Sequence, residues 1–375
     1  MTSQPLRVGI VGVQPGRSWA ARAHVPALRV LSADFVIAGI ANTTLASAVQ
    51  AAAALDHGPR PFASVADLVA SPDIDVISVT VSVPHHLDVV KTAITAGKHV
   101  YCEWPLGNGL AEAEELARLA KEKGVLGVVG TQACLSPEIL YMKQLIADGF
   151  VGEVLSTTLI ARGGGWGGVI PEKKSHAYLL DNTNGATMLT IPVGHALAGL
   201  QAVLGDVEKV SAVLATRRST ALVVDSGEKL PVTAPDQILV SGVLTGGAPV
   251  SLHYRGGMPR DSAGLLWEIN GTEGDLRVTG PFGHLQFVPL TLSGARGDEK
   301  AFQTLTVPDD YQAELPADPM VGNVARTYAR MAADLRQGTR TAPSFDDAVA
   351  LHRVIAAIET AAADGKTLDV GCASA

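Results

Sequence analysis

Five short runs of aliphatic and β-branched residues mark the first third of the chain: 6–12 (LRVGIVG), 35–41 (FVIAGIA), 74–81 (IDVISVTV), 98–103 (KHVYCE) and 125–130 (VLGVVG). Their apolar character is nearly continuous rather than alternating, the pattern of strands buried on both faces. Between them, segments around 18–31, 43–55, 86–97 and 109–124 set apolar side chains three and four apart among Ala, Leu, Glu and Lys, which predicts helices with one buried stripe. Strand alternating with helix requires a parallel sheet with right-handed crossovers, so residues 1–130 are expected to form a doubly wound α/β domain.

After Gly130 the texture changes. A helix pattern over 137–148 leads into a glycine-rich stretch, RGGGWGG at 162–168. Alternating strands are then predicted over 153–161, 207–216, 237–245, 249–255, 264–271 and 274–279, parted by turn signals such as Gly246-Gly247 and Gly271-Thr272-Glu273-Gly274. Helical periodicity returns at 321–336 and 346–363. Residues 131–375 therefore read as a second, α+β domain on a mostly antiparallel sheet, with no internal repeat and no long low-complexity linker.

At 375 residues and 47% hydrophobic content the chain can bury two cores. The net charge is -8, from 37 acidic and 29 basic residues, and no Lys/Arg cluster exceeds a pair, so a nucleic-acid partner is not expected. No apolar run reaches the ~18 residues of a membrane span, and Met1–Pro5 leads straight into the first strand with no signal-peptide pattern. Cys102, Cys134 and Cys372 have no metal-type spacing and fit reduced thiols of a cytoplasmic protein. No metal is expected.

The turn after the first strand reads Gly9-Ile10-Val11-Gly12-Val13-Gln14-Pro15-Gly16-Arg17-Ser18-Trp19. A dinucleotide site of the Rossmann type needs a glycine there so that backbone N–H groups and a helix N-terminus can meet the pyrophosphate. Gly12 stands at the first fingerprint position, Gln14 replaces the second glycine, and Ser18 is the expected N-cap of a helix that opens with Trp19. The second strand ends on Asn42-Thr43-Thr44 without the carboxylate that usually holds the ribose of NAD. With Arg17 nearby, this cluster is expected either to accept the 2′-phosphate of NADP, which favours NADP over NAD, or to cap the next helix. Ser82, after the third apolar run, completes the expected cofactor-binding set on this edge.

From His86 to Leu106 the sequence, HHLDVVKTAITAGKHVYCEWPL counted from His85, resembles the glucose–fructose oxidoreductase and inositol dehydrogenase family. His86, Ala96-Gly97-Lys98-His99, Glu103 and Pro105 stand where that family carries a helix-opening His, an Ala-Gly-Lys-His turn and a Glu-Lys-Pro motif. The resemblance implies an N-terminal Rossmann domain, a C-terminal domain with a large open sheet that often forms dimers, and cofactor contacts from His86, Glu103, Trp104 and Gln132. Two departures fall on chemistry: Trp104 replaces the family's Lys, and Ile191 replaces the Asp four residues before His195. Ser18-Trp19-Ala20, Glu103-Trp104, Ser136-Pro137, Gly164-Gly165-Trp166, Asn184-Gly185 and Gly194-His195 resemble the family branch that holds a fungal galactose-pathway repressor, a nucleotide-binding regulator.

His195 is the expected general acid/base, since an imidazole can take a hydroxyl proton as hydride leaves carbon. Tyr178 and His176 are either substitutes for the missing Lys or surface residues. Asn182 and Trp166 are candidate contacts to a polyol, by hydrogen bonding and by stacking on a sugar ring, and Trp104 is either a stacking face or a packing residue. His253 and His284 are expected to have no catalytic role. The expected activity is hydride transfer between NAD(P) and a secondary alcohol or ketone of a sugar, cyclitol or similar small polar compound, by a homodimer or homotetramer. The rival expectation is a catalytically silent NAD(P)-sensing binding protein.

Overall fold

Hydrophobic runs too short for helices become strands where neighbours can cover both faces. The computed structural model describes residues 4–260, 264–312 and 314–372 and contains two units, Met1–Gln132 with Glu314–Ala350, and Ala133–Ala313 with Leu351–Ala375. Residues 314–350, which sequence reasoning gives to the second domain, therefore belong to the first.

The first unit holds six strands, β1 (Leu6–Val11), β2 (Phe35–Ala41), β3 (Arg60–Phe62), β4 (Val76–Val79), β5 (His99–Glu103) and β6 (Gly127–Gly130). They form one parallel sheet in the order β3-β2-β1-β4-β5-β6. Strand order reverses between β1 and β4, so the carboxyl ends of β1, β4 and β5 flank the switch point at which such sheets bind ligands. β3 and the helix Val65–Ala70 are not predicted from sequence, because three and six residues are too few to show a period.

Gly9 and Gly39 are paired neighbours on β1 and β2, and a Cβ on either would meet the Leu68 side chain at 2.9 and 2.7 Å. Their bareness lets Leu68 lie flat on the sheet.

The helix Pro319–Gln337 returns to this sheet because its stripe of Val324, Tyr328, Met331 and Ala332 is apolar and shares one core cluster with Val8, Ile10, Leu28 and Phe35. That burial is the physical reason the segment leaves the second unit. Asp318 caps the helix, accepting from the Met320 N–H at 3.0 Å, and Phe345 fills the space a side chain at Gly127 would take.

The second unit is built on β7 (Val154–Gly163), β8 (Val169–Ile170), β9 (Val207–Ala215), β10 (Thr220–Val223), β11 (Lys229–Pro231), β12 (Gln237–Leu244), β13 (Pro249–Gly256), β14 (Leu265–Gly271), β15 (Gly274–Gly280), β16 (Thr291–Arg296), β17 (Gln303–Thr304) and β18 (Leu368–Asp369). Nine of these make a sheet in the order β17-β16-β15-β14-β7-β13-β12-β9-β18. Every pair is antiparallel except β7 with β13. β11, β10 and β8 form a separate small sheet that the sequence pattern does not predict.

Alternation decides the faces. Leu159, Ala161, Leu252, Tyr254, Leu265 and Trp267 are buried, and the helix Gly194–Leu204 approaches Trp267 through its Gly199, whose Cβ position lies 3.9 Å from that ring. Ile160, Leu239 and Val213 lie on the opposite, open face.

Gly39→Val is expected to lower stability by about 1–3 kcal/mol, because its Cβ must displace both Leu68 and the Phe62 ring, each 2.7 Å away. A urea midpoint unchanged from wild type would refute this packing account.

Candidate functional site

At the end of β1 the chain needs a conformation closed to most side chains: Gly12 has φ +105°, and a Cβ there would press on Thr80 Oγ1 and Val81 at 3.1 Å. Gly16, at φ +71°, faces open space. Between them the Val13 side chain is buried in the core while Gln14, Gly16 and Arg17 are exposed. Ser18 Oγ accepts from the N–H groups of Gln14 (2.9 Å) and Ala21 (3.3 Å), which closes the loop and caps the helical run that starts at Trp19. That run is widened into a π-helix over Ala20–His24 before the α-helix Val25–Val30. The loop thus offers the bare, glycine-rich cradle at a helix N-terminus that a pyrophosphate requires.

Asn42 is placed differently from expectation. Its Nδ2 donates to Val13 O (2.8 Å) and Ser47 O (3.1 Å), so both amide hydrogens hold the loop and neither is offered to a phosphate. Thr44, not Asn42 or Thr43, caps the helix Leu45–Ala53, its Oγ1 accepting from the Ser47 N–H at 3.2 Å. Thr43 and Ser82 are exposed.

Glu103 and Gln132 meet at the carboxyl ends of β5 and β6. Glu103 Oε1 accepts from Gln132 Nε2 at 2.8 Å and faces His24 Nε2 at 2.9 Å. Gln132 Nε2 also contacts the Tyr101 hydroxyl at 3.0 Å. His24 Nδ1 lies 2.9 Å from the Tyr328 hydroxyl and 3.2 Å from Ser78 Oγ, and Tyr328 in turn donates to Ser78 at 2.9 Å. Gly130 makes room for the cluster, since a Cβ there would stand 2.7 Å from Glu103 Oε1. Sequence reasoning missed His24, Ser78 and Tyr328.

His86 is buried, with Nδ1 2.7 Å from Pro105 O and Nε2 3.0 Å from Val81 O. It ties the strand-end loop at Val81 to the Trp104-Pro105 turn, rather than presenting a ring edge to solvent, and burial pushes its pKa below the usual imidazole value. Trp104 is buried at 4% exposure. Cys102 is a buried thiol whose pKa burial pushes up.

In the second unit, a π-helix over Leu189–Val193 containing Pro192 leads into the helix that carries His195. His195 is buried, its Nδ1 has no hydrogen-bond partner among the described residues, and burial, aided by His284, lowers its pKa to about 3. Ile191, at the family's Asp position, is half-buried and supplies no acceptor.

Tyr254 joins the two segments concerned, its hydroxyl reaching Gly283 O at 3.1 Å and Pro192 O at 3.4 Å. His284, expected to be idle, stacks against Trp166 (6.3 Å between centroids, 19°) and Phe287 (4.8 Å, 30°). Trp166 is itself fixed by Nε1 donating to Leu179 O at 3.0 Å. The cluster of His195, His284 and Trp166 was illegible because its members lie on three separate loops and helices.

The other predicted residues stand apart from that cluster's bonds. Tyr178 is 42% exposed. His176 is half-buried, with Nδ1 2.8 Å from Ser175 Oγ. Asn182 is exposed, and its backbone N–H donates to Thr233 Oγ1 at 2.9 Å. Asn184 Nδ2 donates to Tyr178 O, as a turn residue does. Among the described residues no group of three or more His, Cys, Asp or Glu side chains is arranged for a metal, no described helix is long and apolar enough to cross a membrane, and Cys102 and Cys134 form no disulfide. The Cys372 side chain lies outside the described part.

Comparison with known proteins agrees with this geometry. A model of the oxidoreductase family with the NAD-binding Rossmann fold matches residues 6–131, and a model of the Gal80p C-terminal domain matches residues 137–280. The galactose/lactose metabolism regulatory protein GAL80 of Kluyveromyces lactis is 32% identical over 308 residues, covering 78% of this chain and 67% of that protein. The chain belongs to the Gfo/Idh/MocA oxidoreductase family, in its Gal80-like branch. Dehydrogenase aclE of Aspergillus oryzae is 29% identical over 325 residues, covering 84% of each chain. The solved structure of a super-repressor mutant of Gal80p from Saccharomyces cerevisiae superposes with a TM-score of 0.90 at 27% identity over 99% of both chains. The relatives thus include one named as a dehydrogenase and one named as a regulator.

Burial favours the neutral imidazoles of His86, His195, His284 and His352, the last two with values near 4. The folded chain therefore binds fewer protons than the unfolded chain below pH 6.5, and stability declines as pH falls through that point, by about 1.4 kcal/mol per pH unit for each group. Urea midpoints at pH 7.5 and pH 5 are expected to differ in that direction, and a higher midpoint at pH 5 would contradict it.

Proposed function

We propose that this chain is a nicotinamide-dependent oxidoreductase that acts on a secondary alcohol or ketone of a small polyhydroxylated compound. The observation that carries the reading is the buried His195 Nδ1, which has no hydrogen-bond partner among the described residues and is an imidazole nitrogen that a substrate hydroxyl could complete. The bare Gly12 cradle and the polar edge made by Glu103 and Gln132 support dinucleotide binding by the first unit. The bound nucleotide would supply the hydride donor or acceptor at its nicotinamide carbon. His195, neutral near pH 7, would hydrogen-bond the substrate hydroxyl and take its proton. Trp166, held flat against His284, would offer an apolar face to a sugar ring.

With Asn42 committed to the loop, support for NADP over NAD rests on Arg17 and Thr43, both exposed at this end of the sheet.

A second reading, a nucleotide sensor that moves no hydride, is favoured by one specific feature. Among the described residues no carboxylate is bonded to His195, and burial depresses its proton affinity, whereas an efficient base has a pKa near the working pH. The regulatory relatives support the same reading.

We further infer a cytoplasmic homodimer through the open face of the nine-stranded sheet. There the in-register row Ile160, His253, Leu239 and Val213 runs beside a hydroxyl row of Thr158, Ser251, Ser241 and Ser211. Val213 is 59% and Leu239 43% exposed, and a patch of exposed apolar and hydroxyl side chains can pair with its own copy about a two-fold axis. Leu239→Asp is expected to yield monomers by light scattering at concentrations where the wild type is dimeric; a wild-type monomer would end the idea.

Titrating the protein with NADH and NADPH by fluorescence, then assaying a panel of sugars and cyclitols, tests the enzymatic reading. Turnover is expected to fall about 10²–10⁴-fold in His195→Ala. Nucleotide binding without turnover on any substrate, or turnover indifferent to His195→Ala, would count against it.

A further inference from the structure

His24 is fully buried, at the last position of the Ala20–His24 π-helix. π-Turns of this kind insert an extra residue into a helix and gather at functional positions. Its bonding is one-directional. A carboxylate oxygen only accepts, so the nitrogen facing Glu103, Nε2, carries the hydrogen, and Nδ1 accepts from Ser78 Oγ, which in turn accepts from the Tyr328 hydroxyl. The imidazole is thereby fixed in tautomer and in ring angle from both sides.

The consequence falls on Glu103. Its Oε1 is engaged twice, by His24 and by Gln132, and Oε2 has no hydrogen-bond partner among the described residues. The side chain keeps 13% exposure and stands at the carboxyl edge of the sheet, one strand from the switch point. A purely structural contact between the helix Pro319–Gln337 and the sheet would be made more cheaply by apolar side chains. Three buried polar side chains, His24, Ser78 and Tyr328, bonded to one another and to Glu103, instead specify one geometry.

We propose that His24, keyed by Tyr328 and Ser78, is a positioning residue that holds Glu103 so that its Oε2 receives the hydroxyls of the ribose next to the nicotinamide. This rests on the dinucleotide reading of the first unit and adds to it the set of residues that aims the carboxylate. A glutamate ordered before binding loses no rotamer freedom when the ribose arrives; a loosened one does, and about a threefold to tenfold loss of affinity is expected. The adenine half of the nucleotide does not reach this carboxylate, so ADP, which lacks the second ribose, would not sense the change.

The test titrates the full-length protein with NADH and, separately, with ADP. Tyr328→Phe, which removes one hydroxyl, and His24→Leu are expected to weaken NADH about threefold to tenfold and to leave ADP unchanged. His24→Gln, which can still donate to Glu103, is expected to recover most of the loss. In a Glu103→Ala background Tyr328→Phe should have no further effect on NADH, because coupled residues are not additive. Equal weakening of NADH and ADP, unchanged NADH affinity in the single variants, or a full additional loss in the Glu103→Ala background would each overturn the proposal. A wild type that binds ADP but not NADH also overturns it. A wild type that binds neither fails at the nucleotide reading beneath it.

Discussion

A buried polar group must be paired or it costs more than the contacts around it return, and the first unit is organised by that constraint. His24, Glu103, Tyr328 and Ser78 come from four separate segments and cannot be buried one at a time. Tyr328 serves both sides of the problem: its ring packs edge-on against Tyr101 and Phe35 in the apolar core, while its hydroxyl closes the polar cluster. The helix that carries it therefore has one seat on the sheet. The loop after β1 is held by bonding of the same kind at smaller scale, where Asn42 spends its amide hydrogens on the Val13 and Ser47 carbonyls.

Much of the architecture is legible from the sequence because it rests on short-range signals. The runs at 6–12, 35–41 and 98–103 are apolar on both sides, so β1, β2 and β5 could be placed with no knowledge of their neighbours. Ser18 was readable as a cap because its side chain satisfies amides within four residues. Elements held by distant partners were not readable. His24 sits inside an ordinary helical pattern, and its partners lie 54, 79 and 304 residues away. The same distance hid the true place of residues 314–350, whose amphipathic stripe announces a helix but not the sheet that covers it.

At the candidate site, residue types were legible and their surroundings were not. Glu103 and Gln132 were recognised by their place in a motif, and they do meet. His86 and Asn42 were recognised in the same way, yet both turn inward to brace backbone carbonyls. His284 had no motif to mark it; only the fold brings its ring onto Trp166. What separates these outcomes is which atom of each side chain remains unbonded after folding, a property of the tertiary structure rather than of spacing.

The interleaving of the two units along the chain also bears on biosynthesis. The first unit begins at Met1 but lacks the helix that seals its core until Glu314 and the residues beyond it have been made. About 180 residues intervene, so at roughly 5–20 residues per second the ribosome leaves Val8, Ile10 and Phe35 without their cover for about 10–40 s. The second unit is also unfinished then, since Leu351–Ala375 are made last. Neither core closes until the final stretch of the chain emerges, and the opening sheet is the part that a chaperone would have to shield longest.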